Sequence, residues 1–249
     1  MHFVSVTDQW AQFALAGPRA RDVLRAVLDA GADVSDAAFP FMAAGAFGGF
    51  GGVVVRVFRI SFSGERAYEI AVPARRGEAA LRAILAAGAA HGIVAYGTEA
   101  MSVMRIEKGH PAGGELNGQT TARDLGLGRL LSARKDFIGR ALAQRPALQA
   151  AGRPTLVGLA PVDRTARLHG GAHFLALGAA PSAAGDQGWV SSVAFSPTLG
   201  HWIGLGFLAD GAARHGEHLR AYDPLRGADI EVTITPPCQF DPEGVRLRG

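Results

Sequence analysis

The chain has 249 residues, of which 48% are hydrophobic and 19% are charged. This composition is typical of a globular protein and excludes a disordered chain. The formal net charge is only +3, and the basic residues are scattered along the chain. Charge therefore gives no indication of a nucleic-acid-binding protein. The length allows one large domain or two smaller ones.

Cys238 is the single cysteine, which excludes an intrachain disulfide and a zinc site built from several thiolates. The N-terminal stretch lacks the basic and apolar regions of a signal peptide, and no uninterrupted apolar run is as long as a membrane span. These features predict a soluble, cytoplasmic protein that does not bind membranes.

The N-terminal part opens with two predicted strands, Phe3–Val6 and Trp10–Leu15, followed by a helix from Pro18 to Gly31. The next stretch, Phe39–Gly52, is rich in glycine. A dinucleotide-binding loop places its glycines after a strand and at the start of a helix, whereas these glycines precede a strand. We therefore predict a tight or flexible connection here.

Two further strands, Val57–Ser61 and Ala67–Val72, flank a turn and predict an antiparallel pair. Side chains alternate along a strand, so Tyr68 and Glu69 point to opposite faces. Two interpretations of Glu69 stay open. On an exposed face it is an ordinary solvated carboxylate. On a covered face it needs hydrogen-bond donors, which a ligand with N–H groups would supply.

An alanine-rich helix is predicted over Arg76–Gly92, where His91 suits the negative end of the helix dipole. Thr98 is a suitable N-cap for the next helix, which runs to Gly109. Glu99 falls in the first turn of that helix, where a carboxylate is favoured for structural reasons alone.

The second half of the chain begins with a polar loop, in which His110 and Glu115 lack the third ligand that a metal site would need. No metal site is predicted. Beyond a linker at Pro146–Pro154, short strands separated by turn residues predict a small antiparallel β-barrel. Cys238 has no base or carboxylate beside it in the sequence and is interpreted as a small apolar residue. The predicted strands are 155–159, 172–177, 188–193, 201–208, 219–222 and 230–235.

Several motifs occur together and in one order: Arg59–Glu65, Ala67–Ile70, Tyr96–Ala100, Met104–His110, Lys135–Arg140, Ser196–Gly200 and Phe240–Gly244. Together they resemble the folate-binding aminomethyltransferase superfamily, which includes glycine-cleavage T-proteins. Within this superfamily, the chain is most similar to the C-terminal portion of the alpha subunit of heterotetrameric sarcosine oxidase. The resemblance covers nearly the whole chain.

The resemblance implies an α+β fold with two domains. Residues 1–148 would form a folate-binding aminomethyltransferase-like domain that lacks its usual N-terminal segment, and residues 149–249 the C-terminal β-barrel domain. Glu69 matches the family glutamate that binds the pterin, and Tyr68, Glu99 and Arg105 are weaker candidates for folate binding. Met101 stands where T-proteins carry a folate-binding arginine. No catalytic residue is assigned, because the catalytic aspartate of T-proteins belongs to the upstream segment.

The implied function is to bind tetrahydrofolate and to accept the one-carbon unit from oxidative demethylation of sarcosine, giving 5,10-methylenetetrahydrofolate. FAD, FMN and NAD would bind only to other parts or subunits of the complex, whose beta, gamma and delta subunits are the expected partners. The alternatives are a stand-alone T-protein-like aminomethyltransferase and a non-catalytic folate-binding module. A relative of the folate-binding iron–sulfur repair proteins is a third alternative, although their cysteine motif has no counterpart near Gly109.

Overall fold

The computed structural model describes residues 2–248 and divides into two compact units. The first unit contains the residues up to Met101 together with those from Glu243 onward, and the second contains Ser102–Pro242. The first holds an antiparallel sheet with helices and the second a closed antiparallel barrel, which confirms the predicted fold class. The domain boundary predicted at residues 148 and 149 remains a prediction. No helix within residues 2–248 has the length and apolar character needed to cross a membrane.

The first unit is built on a four-stranded antiparallel sheet in the order β1-β4-β3-β2. Its strands are β1 (Trp10–Ala16), β2 (Ala44–Gly49), β3 (Val53–Phe58) and β4 (Ala67–Pro73). Its helices are α1 (Ala20–Val27) and α2 (Gly77–Gly88), together with the short C-terminal α5 (Val245–Arg248).

Helices α1 and α2 cover one face of this sheet. Tyr68, Ile70 and Val72 of β4 are fully buried in a core that also contains Leu24 of α1 and Ile84 of α2. Since side chains alternate along each strand, the remaining positions of β4 belong to the opposite face. The sequence-based assignment of Tyr68 and Glu69 to opposite faces agrees with this packing.

The second unit contains the greater part of α3 (Thr98–Glu107) and the short α4 (Arg140–Ala143), followed by a six-stranded barrel. The barrel closes in the order β10-β5-β8-β7-β6-β9. Closure leaves no strand at an edge, and the interior is filled by buried aliphatic and aromatic side chains. The strands are β5 (Pro154–Pro161), β6 (His173–Leu175), β7 (Gly188–Ser196), β8 (His201–Ala209), β9 (His218–Asp223) and β10 (Ala228–Thr235).

Two local predictions were wrong. The stretch Phe3–Val6 is not a strand, because no strand within residues 2–248 pairs with it, and Phe3 and Val4 are largely exposed. The glycine-rich stretch contains strand β2, which was not predicted. Six backbone pairings with β3 and the edge-to-face contact between Phe39 and Phe47 stabilise β2 despite its low intrinsic strand propensity.

Candidate functional site

Glu69 lies in the interior of the sheet face that the helices leave open. In the strand register, Ala14 of β1 is opposite Glu69 on one side and Phe58 of β3 on the other. Gln12 and Arg56 occupy the adjacent row, on either side of Ala71. We refer to the surface formed by Gln12, Ala14, Arg56, Phe58 and Glu69 as the Glu69 face.

Within residues 2–248, the carboxylate of Glu69 has one hydrogen-bond partner. The side-chain amide of Gln12 donates a hydrogen bond to Oε2 of Glu69. Glu69 is half-buried, and within residues 2–248 its Oε1 accepts no hydrogen bond. A carboxylate can accept up to four hydrogen bonds, so Glu69 retains acceptor capacity for a ligand that presents two N–H donors. The environment of Glu69 is therefore intermediate between the fully exposed face and the fully covered face that the sequence left open.

The other groups of the Glu69 face are well suited to a flat heteroaromatic ligand. The guanidinium of Arg56 stacks over the Trp10 ring, 3.9 Å from its centroid, which fixes a cation at one end of the face. Phe58 is half-buried and directly opposite Glu69. On the β1 side, the small side chain of Ala14 leaves the Glu69 carboxylate accessible.

Tyr68 lies on the opposite face from Glu69. Its side chain is fully buried, and its hydroxyl accepts a hydrogen bond from Nε of Arg21 at 3.2 Å. The structure therefore does not bring Tyr68 and Glu69 to a common surface. A role of Tyr68 in ligand binding remains a prediction, and the contact with Arg21 gives the residue a structural function.

Arg21 belongs to a cluster in which three guanidinium groups surround the carboxylate of Asp36. Arg21 bonds to both oxygens of Asp36, Arg59 lies 2.6 Å from Oδ1, and Arg66 lies 3.9 Å from Oδ2. The hydrogen bonds from Arg21, and then the hydrogen bond and the positive charge of Arg59, lower the pKa of Asp36 to about 2. Asp36 is therefore ionised at neutral pH and offsets part of the positive charge.

Glu99 and Arg105 lie on α3 in different environments. Glu99 is exposed in the first turn. Arg105 is buried and donates from Nη1 to Oε2 of Glu115 at 2.9 Å and from Nη2 to Oγ of Ser192 at 2.8 Å. Folate contacts by Glu99 and Arg105 remain predictions, and the guanidinium of Arg105 is already engaged by protein groups.

Glu115, which the sequence presented as an isolated loop carboxylate, is the most enclosed member of this network. Its side chain is fully buried, and the hydroxyls of Ser191 and Ser192 each donate to Oε1 at 2.6 Å. Burial alone would raise the pKa of Glu115. The two serine hydroxyls, the Ala112 N–H and the charge of Arg105 outweigh burial and lower the pKa.

A groove of about 490 Å³ runs along the free edge of β1. Glu69 does not line it, and the groove shares Gln12 and Ala14 with the Glu69 face. Its walls are mostly apolar, and no carboxylate is among them. The groove therefore offers no carboxylate to the N–H groups of a pterin, whereas the Glu69 face does, and we take that face as the candidate ligand site. The main walls of the groove are β1, α2 and residues 91–96.

Comparison with protein-family models matches both halves of the chain. The model of the GCVT N-terminal domain matches residues 1–135, and that of the glycine cleavage T-protein C-terminal barrel domain matches residues 155–241. The chain belongs to the glycine cleavage T-protein family. The resemblance deduced from the sequence motifs is confirmed.

Within this family, the sarcosine oxidase subunit alpha of Rhizobium meliloti is 47% identical over 99% of this chain. The aminomethyltransferase of Saccharopolyspora erythraea is 32% identical over 92% of the chain. The crystal structure of the glycine cleavage system aminomethyltransferase T from Bartonella henselae shares the fold, with a TM-score of 0.72, 22% identity and 96% coverage of this chain. The T-protein-like architecture is thus established.

These relatives are longer than this chain. The chain spans 25% of the Rhizobium subunit, 59% of the Saccharopolyspora enzyme and 60% of the Bartonella chain. The relatives therefore contain polypeptide that has no counterpart in residues 1–249.

Sequence reasoning proposed Glu69 as a ligand-binding residue but did not identify its neighbours on the Glu69 face. Gln12 is 57 residues away along the chain, and only the β1–β4 pairing brings its amide to the carboxylate. Phe58 was assigned to a strand, but its place beside Glu69 follows from the β3–β4 register. A hairpin register derived from the Ser63–Glu65 turn is the signal that could have located Phe58.

Proposed function

We propose that this chain is the tetrahydrofolate-binding part of a sarcosine oxidase alpha subunit. In this proposal it accepts the one-carbon unit released by sarcosine oxidation and gives 5,10-methylenetetrahydrofolate. The available carboxylate of Glu69 is the observation that carries the proposal. A reduced pterin presents a ring N–H and an exocyclic amino group side by side, which complements a carboxylate in a bidentate arrangement.

The remaining groups of the Glu69 face support this assignment. The Phe58 ring beside the carboxylate can stack on a pterin whose N–H groups bond to Glu69. The Gln12 amide holds the carboxylate in place through its hydrogen bond. The face thus supplies both polar recognition and an apolar surface, as small-molecule sites commonly do.

The proposed reaction requires an electrophilic one-carbon substrate that forms outside this chain. Oxidation of sarcosine at a flavin of a partner chain would give an iminium whose methylene carbon is electrophilic. N5 and N10 of tetrahydrofolate form bonds to that carbon, and the carbon–nitrogen bond to glycine breaks. The protons released from N5 and N10 are transferred to the glycine nitrogen, so that glycine departs in its ammonium form. This chain would contribute orientation and proximity, which are large effects in two-substrate reactions. No proton-transfer residue is assigned.

Greater similarity to sarcosine oxidase subunits than to aminomethyltransferases supports the choice of one-carbon donor, with 47% against 32% identity. In the alternative, the chain is a T-protein-like aminomethyltransferase that uses an aminomethyl donor. Mass analysis of folate products with sarcosine plus a flavin-containing oxidase, or with an aminomethyl donor, distinguishes the two.

Calorimetric titration with tetrahydrofolate tests the ligand. We expect binding that Glu69→Gln weakens at least tenfold, about 1.4 kcal/mol. Gln retains the shape of Glu but loses the charge and one acceptor. Glu78→Gln is the matched control, because Glu78 is exposed on α2 and forms an exposed ion pair with Arg82. Equal affinity of wild type and Glu69→Gln would remove the basis of the proposal.

A further inference from the structure

The open face of the first unit's sheet carries charges of opposite sign at two separate places. Ala14 of β1 is opposite Glu69, and Trp10 is four residues away along the same strand. A rise of about 3.4 Å per residue puts the backbone positions of Ala14 and Trp10 about 14 Å apart. The guanidinium of Arg56 stacks over the Trp10 ring. The Glu69 carboxylate and this guanidinium therefore lie toward opposite ends of the open face.

The position of the Arg56 guanidinium is fixed by a contact that crosses β4. In the register, Arg56 of β3 is opposite Ala71, whereas Trp10 of β1 is opposite Pro73. The Arg56 and Trp10 side chains therefore meet over the open face of β4. Ala71 is only 5% exposed although it belongs to this face, which agrees with such a covering. The guanidinium is thus held on the sheet instead of extending freely into solvent.

Arg56 also lacks a compensating charge. Its side chain is exposed, and no carboxylate within residues 2–248 forms an ion pair with it. By contrast, Arg21 and Arg59 share the carboxylate of Asp36. Stacking on an indole ring uses the flat side of a guanidinium and leaves the N–H groups at its edge available. Those N–H groups form a planar fork that binds a carboxylate in a bidentate arrangement.

We propose that Arg56 binds the glutamyl carboxylates of tetrahydrofolate while Glu69 binds the pterin. This inference rests on the proposed function, which was argued from the pterin end of the ligand alone. Tetrahydrofolate carries N–H donors on its pterin and negative charges on its glutamate, with a methylene bridge, a benzoyl ring and an amide between them. The carboxylate and the guanidinium of the open face complement these two ends. Arg56 is then the residue that distinguishes a folate from a pterin without a glutamate.

A purely structural role of Arg56 predicts a different pattern of binding. If stacking on Trp10 only supported the sheet, replacement of Arg56 would affect every ligand of the Glu69 face to the same extent. A contact with the glutamate affects only ligands that contain this group. The two roles are therefore separated by comparing ligands with and without the glutamate.

Calorimetric titration of the chain with tetrahydrofolate and with tetrahydropteroate, which lacks the glutamate, tests the proposal. We expect the wild type to prefer tetrahydrofolate by about fivefold, the size typical of a partly exposed ion pair. Arg56→Met should lose this preference and bind tetrahydropteroate as the wild type does. Arg25→Met is the matched control, because Arg25 is exposed on α1, which covers the opposite face of the sheet. This control should keep the preference.

Three results would overturn the assignment of Arg56 and leave the proposed function intact. They are equal wild-type affinities for the two ligands, an unchanged preference in Arg56→Met, and an equal loss of affinity for both ligands in that variant. In each case Glu69→Gln should still weaken binding of both ligands. Failure of the wild type to bind either ligand would overturn both proposals. Arg56→Gln replaces Arg56→Met in the comparison if the latter does not fold.

Discussion

At the scale of single residues, the ion pair between Arg105 and Glu115 determines how α3 tolerates substitution. Both side chains are buried and bonded to each other at 2.9 Å. We expect Arg105→Met to lower the free energy of unfolding by about 3–5 kcal/mol, because Glu115 is left as an uncompensated buried charge. Urea denaturation measures this change.

Arg129→Met provides the control for this prediction, because Arg129 is exposed and should change stability by no more than about 0.5 kcal/mol. The same variants separate two functions of Arg105. A large loss of tetrahydrofolate affinity in a variant of normal stability would assign Arg105 to the ligand instead of the fold.

Phe58 provides a second test at this scale. We expect Phe58→Leu to weaken tetrahydrofolate binding by about threefold to tenfold, because aromatic stacking contributes about 0.5–1.5 kcal/mol beyond simple burial. Titration calorimetry measures the affinity, with Phe195→Leu in the barrel as the control. Unchanged affinity would show that the pterin does not contact Phe58.

The candidate site could be predicted only in part. The orientation of Glu69 followed from strand alternation, which depends on neighbouring residues alone. Its partner Gln12 and the buried contacts of Arg105 depend on pairings between distant segments, which local patterns do not specify. Glu115 illustrates the limit, because the sequence shows a polar loop residue and the structure a fully buried carboxylate with four donors.

At the scale of elements, the Asp36 cluster joins α1 to the segments that flank β3 and β4. The pKa of Asp36 is lowered from 3.8 to about 2, so the ionised carboxylate stabilises the folded state above pH 3.8. That contribution is lost as the pH falls through about 2. The acid sensitivity of the first unit should therefore depend on this residue.

We expect Asp36→Asn to be less stable than wild type at pH 7, by about 1–3 kcal/mol, since the buried Arg59 loses its carboxylate partner. The difference should shrink as the pH approaches 2, because wild-type Asp36 then becomes neutral as well. Chemical denaturation across this range measures the effect. Asp22→Asn, in the exposed pair with Arg19, is the control, and a pH-independent difference would contradict the assignment.

The barrel strands were predictable because each combines β-branched or aromatic residues with flanking turn residues. Strand β2 was not, because alanine and glycine carry little strand propensity and the element depends on its neighbour β3. The strand wrongly predicted at Phe3–Val6 has the same cause. Apolar and β-branched residues suit a strand, but a strand also requires a partner.

At the scale of the whole molecule, the last residues belong to the first unit. The Arg248 carbonyl accepts a hydrogen bond from Arg59 at 2.7 Å, and the Arg246 guanidinium donates to Glu65 at 2.7 Å. We expect removal of residues 243–249 to destabilise the first unit by about 1–3 kcal/mol, because Arg59 loses its hydrogen bond to Arg248 and Glu65 loses its ion pair with Arg246. Exchange of the Tyr68 and Ile70 amides should accelerate.

The barrel provides the internal reference, because amides of β8 should exchange at the wild-type rate in the truncated chain. Arg248→Ala is the matched variant, since it keeps the backbone carbonyl and should leave the first unit unchanged. Equal acceleration in both units would show that the C-terminal residues do not act on the first unit specifically.

The contact between Arg59 and Arg248 spans 189 residues and has a consequence for biosynthesis. A ribosome completes α1, α2 and the sheet long before it reaches α5, so the nascent first unit must wait for its final contacts until the barrel has been translated. Contacts of such large sequence separation slow folding, because loop closure precedes the stabilising interaction. During this interval the Arg59 guanidinium lacks its contact with the Arg248 carbonyl, and the emerging chain is expected to depend on chaperones most strongly before α5 has emerged.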